Sequence, residues 1–417
     1  MSKLACEGGQ PVREAFLVFG RPLIGEEEIA EMVDTLRSGW IGFGPKCLRF
    51  EEAFAGYVQA DYALSVNSAT AALHLALLAA NVGPGDEVIT TPLTFVATAN
   101  VITHVGAIPV FVDVDPATQN LDPERIERAI TRRTRAILPV HMAGWPCELD
   151  AIGGLAARHG LTVIEDAAHA AETWYRGSKV GSISRFTAFS FYATKNLTTG
   201  EGGMLTTDDA TVIERLRVLR LHGLDKDAWK RYAPGEFMPY QVLEPGYKYN
   251  LTDLQASLGL HQLARLESSL KVRERLWAMY DEAFAEVPGV RARPPLATLG
   301  SRHARHLYAL ELDLDVLACD RARFMSALAA ENIGSGVHFV PVHLHQYYRN
   351  TYGTRRGDHP HAERIGDRTL SLPLSAAMSE TDARDVIAAV AKVARRYVRR
   401  VAHVVAWNEP DELREAA

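Results

Sequence analysis

Cysteine is scarce in this chain, and long apolar runs are missing altogether. The four cysteines, Cys6, Cys47, Cys147 and Cys319, are scattered without a C-x-x-C pair, which argues against a zinc site and a disulfide framework and suits a reducing compartment. The most apolar stretch, residues 69–82, is shorter than a membrane span and carries Thr70 and His74, so it reads as a buried helix. No apolar h-region follows Met1, so no secretory signal is expected and the expected location is cytoplasmic. An excess of positive charge is missing too. Lys and Arg number 45 against 51 Asp and Glu, a net charge of -6, which makes nucleic acid and anionic membranes poor partners. Any phosphate must then be held locally. Also absent are G-x-x-x-x-G-K-[ST], a G-x-G-x-x-G after a strand, H-E-x-x-H, internal repeats and low-complexity segments.

What is there is the composition of a globular protein with ample core: 47% apolar and 23% charged over 417 residues. That length predicts a large domain plus a smaller one. From residue 83 the chain alternates short strands with amphipathic helices. The strands are expected at 87–90, 108–112, 136–140 and 161–165, and the helices at 97–105, 122–130 and 149–159. Such alternation predicts a mostly parallel sheet with helices on its faces, ligands collecting at the carboxyl ends of the strands. Phe95, His141, Asp166 and His169 each fall just beyond a predicted strand. From about residue 291 the pattern changes to strands at 306–312 and 336–340 and helices at 321–331 and 381–401. This reads as a smaller α+β unit, with boundaries at 1–265 for the large domain and 266–417 for the small one.

Other segments carry local signals. Residues 25–36 bring Ile29, Met32, Val33 and Leu36 onto one helical face behind an acidic start. A loop follows in which glycines interleave with Trp40 and Phe43, suiting either a lid or a loop tucked onto the core. A helix is expected around 50–57 and a strand at 62–66. Directly after that strand, Ser68 caps a helix apolar on nearly every side. Free N–H groups at Ala69 and Thr70 and the helix dipole make an anion site there, although a Ser cap is often purely structural. A helix is expected from 208 towards 222, an irregular stretch from 223 to 249, and one or two helices over 251–284. The cluster His338, His343, His345, Tyr347 and Tyr348 is too loosely spaced for a metal, and substrate or interface hydrogen bonding suits it better.

One lysine organises these signals. Lys195 lies between an aromatic strand-like run, Phe189-Ser190-Phe191-Tyr192, and the Gly-rich turn Gly200-Glu201-Gly202-Gly203. Burial there lowers a lysine's pKa and makes it a nucleophile toward an aldehyde. By itself the position also suits a lysine snorkelling from a strand end. A buried Asp after a strand is often a helix cap, and His169 alone is more often a packed core histidine. Set together, an amine, a carboxylate and a helix end are what pyridoxal 5'-phosphate requires: the lysine for its aldehyde, the carboxylate for its ring nitrogen, the helix for its phosphate.

At this point the residues resemble a known family. Glu165-Asp166-Ala167-Ala168-His169, Ser190 through Leu197 and Glu201-Gly202-Gly203 are similar to the DegT/DnrJ/EryC1/StrS sugar aminotransferases. The likeness runs through Trp40-Ile41-Gly42-Phe43-Gly44-Pro45-Lys46, Ser68 to His74, Pro139 to Gly144, Gly246 to Asp253 and Ser371-Leu372-Pro373-Leu374. Gly246 to Asp253 and Gly334 to Phe339 most resemble the branch that aminates nucleotide-linked 4-keto-pentoses, as in UDP-4-amino-4-deoxy-L-arabinose synthesis.

The resemblance implies a fold type I, aspartate aminotransferase-like enzyme with pyridoxal 5'-phosphate as cofactor and pyridoxamine 5'-phosphate as its second form. It implies that Lys195 is the Schiff-base lysine and moves the proton, that Asp166 pairs with the ring nitrogen, that His169 lies by the ring, and that Phe95 stacks on it. Ser68, Ala69, Thr70, Ser190 and Tyr192 line the cofactor site, with Asn250 reaching the phosphate from a second subunit of a homodimer. Trp40, Lys248, Tyr249 and His338 face the nucleotide sugar, and L-glutamate, becoming 2-oxoglutarate, is the amino donor. The expected reaction puts the amine on C4 of a nucleotide-diphospho-4-keto sugar. Three other readings stand beside it, the first being the same amino transfer at C3 of a nucleotide keto sugar. In a dehydratase of the same fold a histidine replaces the lysine, whereas Lys195 is present here. A cofactor-binding regulatory protein without turnover would not need the lysine, carboxylate and phosphate site intact.

Overall fold

In a computed structural model the chain is described over residues 3–225, 240–292 and 299–399. Helices α1 (Glu26–Ser38) and α2 (Pro45–Val58) come first, the second opening on a proline that suits a first helical position. Strand β1 (Tyr62–Val66) runs into α3 (Ala69–Ala79), whose start is capped by the Ser68 hydroxyl accepting from Ala71 N–H. The alternating part supplies β2 (Glu87–Thr90), α4 (Val96–His104), β3 (Ile108–Phe111), α5 (Pro123–Ala129), β4 (Thr134–Leu138), α6 (Leu149–His159) and β5 (Thr162–Asp166). A small hairpin of β6 (Trp174–Tyr175) and β7 (Ser178–Lys179) precedes β8 (Phe186–Ser190), β9 (Gly203–Thr207) and α7 (Ala210–Arg220).

Seven of these strands form one sheet in the order β1-β9-β8-β5-β4-β2-β3. Neighbours pair in parallel except around β9, which is antiparallel to both β1 and β8. The sheet is covered on both faces, as a mostly parallel sheet must be. Residues of α3, α4 and α7 pack on one face. The other is covered by α5 and α6 over one half and by α2 and α8 (Asp253–Ala264) over the other.

After α9 (Leu266–Phe284), strands β10 (Val290–Arg291), β11 (Tyr308–Leu312) and β12 (Thr369–Leu372) form an antiparallel sheet. Helices α10 (Arg321–Ala330), α11 (Gln346–Tyr352), α12 (Pro360–Arg368) and α13 (Glu380–Tyr397) are the remaining helices among the described residues. A second core gathers α9, these strands, α10 and α13, together with Leu4, and Val12 and Leu17 pack against it. The first residues of the chain therefore pack with the C-terminal core, and the expected boundary at residue 265 falls between α8 and α9.

The apolar residues of α1 share a face as expected, and on this chain Ile29, Val33 and Leu36 of that face are exposed, while the buried residues of the helix are Glu28 and Thr35. Other expectations need correcting. Residues 336–340 form no strand; only Gly336 bridges Ser371. The turn after Lys195 leads into β9, an element the glycines at 202 and 203 conceal. Of the two loop aromatics, Trp40 is exposed while Phe43 is buried beneath Arg220, whose guanidinium lies 4.4 Å from its ring centre. Much of the irregular stretch after Gly223 lies outside the described residues. Before and after it, isolated bridges join Leu221 to Lys248 and Leu224 to Val242.

Candidate active site

The carboxyl ends of β5 and β8 and the start of α3 open on one cavity of about 550 Å³. Asp166, the last residue of β5, is tied through its backbone to Pro139 O and His141 N–H. Its carboxylate is buried and takes hydrogen bonds from Thr98 Oγ1 at 2.8 Å and from Ala168 N–H at 3.1 Å. Burial pushes this carboxyl above the usual carboxylate range, and those two donors with the charges of Lys195 and His141 offset the push only in part.

Lys195 sits in a turn closed by its own N–H to Tyr192 O, within a connection whose ends are joined by Phe191 N–H to Gly202 O. Burial lowers its pKa to about 8 against the opposing pull of Asp166. The fold thus brings the two residues to one chamber from adjacent strands, 29 residues apart in sequence.

At the other end of the cavity lie Ser68, Ala69 and Thr70, the first turn of α3, with Ser190 and Tyr192 beside them. A Cβ on Gly203 would stand 2.5–2.7 Å from the backbone of Ser68 and Ala69. Only glycine lets β9 run this close to the helix start. The result is a polar cradle of hydroxyls and free helix N–H groups suited to a phosphate. His169 is buried on the cavity wall, its Nδ1 accepting from Ala143 N–H at 3.2 Å, so its Nε2 carries the proton. Burial, followed by the charge of Lys195, keeps it well below the usual histidine range. Phe95, at the N-terminus of α4, is 58% exposed into the cavity, 6.0 Å from the Phe339 ring. His338 lines the same wall, 2.8 Å from Ser371 Oγ through Nδ1, and burial pushes it down to about 4.

The remaining sequence-predicted residues lie elsewhere. Trp40, Lys248 and Asn250 line a separate, open cavity of about 720 Å³ together with Asn67 and Thr252. Asn250 Oδ1 is buried there with no hydrogen-bond partner among the described residues, while its amide donates to Leu251 O. Tyr249 stacks on Tyr247 and reaches His74 Nδ1 at 3.2 Å. His141 does not face the cavity. It is fully buried, with Nε2 2.7 Å from Glu165 and Nδ1 accepting from Cys147 N–H. His343 is buried against Glu363, and among the described residues no cluster suits a metal ion.

Residues given no role from the sequence lie in the walls or behind them. Phe339 stacks parallel to His169 at 6.0 Å, and Thr94 and Thr98 form a hydroxyl pair beside Asp166. Asn196, next to the lysine, donates to Glu172 and Ala304 O and accepts from His306 Nδ1. Behind it the buried Glu172 pairs with Arg273 of α9. Glycines at close approaches and polar residues at helix starts are too common for sequence to single these out.

A buried carboxylate, a lysine with a lowered pKa and a helix-end cradle around one chamber fit pyridoxal phosphate by the chemistry of their donors. The sheet order and the site define a fold type I, pyridoxal phosphate-dependent aminotransferase. The chain belongs to the DegT/DnrJ/EryC1/StrS aminotransferase family, whose profile matches residues 22–391. The spore coat polysaccharide biosynthesis protein SpsC of Bacillus subtilis is 52% identical over 384 residues, covering 92% of this chain and 98% of that protein. The putative sugar aminotransferase Spr1654 from Streptococcus pneumoniae, in its PMP-form, is 36% identical with a TM-score of 0.84, covering 91% of this chain and 99% of that one. DesI, solved in the presence of its TDP-sugar product, is 33% identical with a TM-score of 0.83, covering 94% and 96%. Among the described residues no helix is long and apolar enough to cross a membrane.

Proposed function

We propose that this enzyme transfers an amino group from L-glutamate to C4 of a nucleotide-diphospho-4-keto sugar, a pentose or a 6-deoxyhexose carried on UDP or dTDP, in the cytoplasm. The observation that carries the reading is the meeting of Lys195, Asp166 and the α3 N-terminus around one cavity. Bound there, pyridoxal phosphate supplies an aldehyde that accepts an amino group from one substrate and returns it to the next.

The chain's residues divide the work. Ser68, Ala69, Thr70 and Ser190 hold the phosphate through hydroxyl and helix N–H groups. Asp166, kept anionic, would hold a proton on the ring nitrogen. His169 would offer its Nε2–H as a donor to the bound group, and Phe95 would pack against it. Lys195 would hold the cofactor through its amine and serve as the proton carrier of the site; an amine whose pKa is about 8 suits both taking and giving a proton near neutral pH.

The enzyme works as a homodimer. Ile29, Val33 and Leu36 on α1, with Leu23, Ile24, Trp40, Ile41 and Leu48, leave an apolar surface exposed on one chain. The unpartnered Asn250 Oδ1 and the open cavity with Trp40 and Lys248 support the idea that these residues, with Tyr249, serve the partner's site. His338 faces the sugar from the same chain.

A panel of nucleotide-linked 4-amino and 3-amino sugars, incubated with enzyme and 2-oxoglutarate and monitored for keto sugar, tests the assignment. Turnover of a 4-amino pentose or 4-amino-6-deoxyhexose is expected. Turnover confined to 3-amino sugars would move the reaction to C3, and no conversion of the bound cofactor by any amino acid would return the chain to the regulatory reading.

A further inference from the structure

The Asp166 carboxylate depends on a residue that the function above does not use. We propose that Thr98, supplied by Thr94, is a positioning residue that keeps Asp166 ionised and aimed at the cofactor's ring nitrogen. The proposal rests on the cofactor reading for what Asp166 faces.

Thr98 is fully buried in the first turn of α4. Its Oγ1 lies 2.8 Å from Asp166 Oδ2 and 2.7 Å from Thr94 Oγ1. A hydroxyl has one proton to give, and an ionised carboxylate has none. The Thr98 proton therefore goes to Asp166, and the contact with Thr94 runs the other way, Thr94 donating to Thr98. The two threonines form a one-way chain of donors that ends on the carboxylate, each bond polarised by the one behind it. The other oxygen, Oδ1, accepts from Ala168 N–H. Both oxygens are thereby fixed, and each keeps a lone pair for a further donor.

The need for such a chain follows from burial. A carboxylate removed from water drifts toward its neutral form, and a neutral carboxyl cannot hold a proton on a ring nitrogen. Of the groups that oppose this drift at Asp166, the Thr98 hydroxyl comes first, ahead of Ala168 N–H and the more distant Lys195. Packing alone gives no reason for a hydroxyl here. Valine has nearly the same shape, and a buried hydroxyl is costly unless a partner needs it. The geometry also ties the device to Phe95, since the same helix start presents its ring to the cavity three residues before Thr98.

The test compares Thr98→Val and Thr98→Ser with the wild-type holoenzyme. The readouts are the visible absorbance of the lysine-bound cofactor as a function of pH, cofactor affinity, and kcat separately from KM. Loss of the donor weakens the ring nitrogen's hold on its proton, so the ring withdraws less charge from the lysine linkage. The absorbance midpoint of Thr98→Val should rise by about half a pH unit or more. Its kcat should fall about tenfold, the scale of one hydrogen bond to a charge, with cofactor affinity changed less than about threefold because the phosphate cradle is untouched. Thr98→Ser should restore both within about twofold.

A Thr98→Val enzyme with the wild-type midpoint and kcat would overturn the proposal, as would a Thr98→Ser enzyme equally impaired, which would make the residue a matter of packing. Should Thr98→Val fail to fold, Thr94→Val, one bond further from Asp166, should move the midpoint the same way by less, and an unmoved midpoint there counts against the chain. A wild-type protein that develops no visible band with pyridoxal phosphate would instead sink the cofactor reading.

Discussion

Burial lowers the pKa of two described lysines, Lys195 and Lys179, and only one of them opens on the cavity. Lys195 opens on the cavity opposite Asp166, and burial lowers its pKa to about 8. Lys179, on β7, is 2% exposed, and burial lowers it further, to about 7. Its ammonium rests 3.6 Å from the centre of the Tyr57 ring and 5.5 Å from that of Trp174, with Ala171 O at 3.4 Å and Glu267 at 3.9 Å. By lowered pKa alone Lys179 is the better nucleophile. Its aromatic box leaves no room for an aldehyde, whereas Lys195 shares its chamber with a carboxylate and a phosphate cradle. Access and company, more than proton affinity, separate an amine open to a ligand from one that is only packed.

The comparison can be broken or sharpened in three ways. Lys195→Ala should lower turnover by about a thousandfold or more and abolish the visible band of lysine-bound cofactor; a mutant that kept both would hand the role to another amine. Asp166→Asn should keep the band and lower kcat by about a hundredfold, since the amide cannot stabilise a charged ring nitrogen, and steady-state kinetics on the holoenzyme would show it.

Lys179→Met should leave kcat within about twofold and change only the pH dependence of stability. Lys179 has a folded value of about 7, below its ordinary 10.5. Between those values the unfolded chain binds the extra proton, so this group raises stability as pH rises through the window, and its burial costs most below pH 7. The stability of the methionine variant relative to wild type should therefore decline from roughly pH 6.5 to roughly pH 9.5 in urea unfolding. Parallel pH profiles for the two proteins would mean that Lys179 titrates normally.

Much of this was legible in the sequence where periodicity and caps agreed. Strands β1 and β2 and helix α6 begin and end at the expected residues, because each lies between clear turn residues and its apolar pattern has one period. β9 was hidden because Gly203 at its start serves a close approach to Ser68 and Ala69 and looks like turn glycine from sequence. Residues 336–340 carry the apolar signature of a strand, yet Val337, His338 and Phe339 line the cavity instead of pairing.

The amphipathic pattern of α1 was legible as a face, and its exposure on this chain was not, since periodicity says that a side is apolar but not what covers it. For the site, Lys195, Asp166, His169 and the α3 start were singled out by their combination and by the family resemblance, and the structure brings them to one cavity. Thr98 escaped notice because a threonine near a helix start is ordinary, and its meaning comes only from the carboxylate of a strand 68 residues away.

The antiparallel run of β9 has a consequence for how this enzyme can change. A crossover between parallel strands carries a helix and tolerates added length, but the connection 191–202, which carries Lys195, joins two strands paired directly to each other. Its far end is pressed on the start of α3 through Gly203. One residue inserted there must either move the lysine or slip β9 by one position, and such a slip turns every side chain of the strand to the opposite face. The length of this connection is therefore tied to the register of β9 as well as to the place of Lys195.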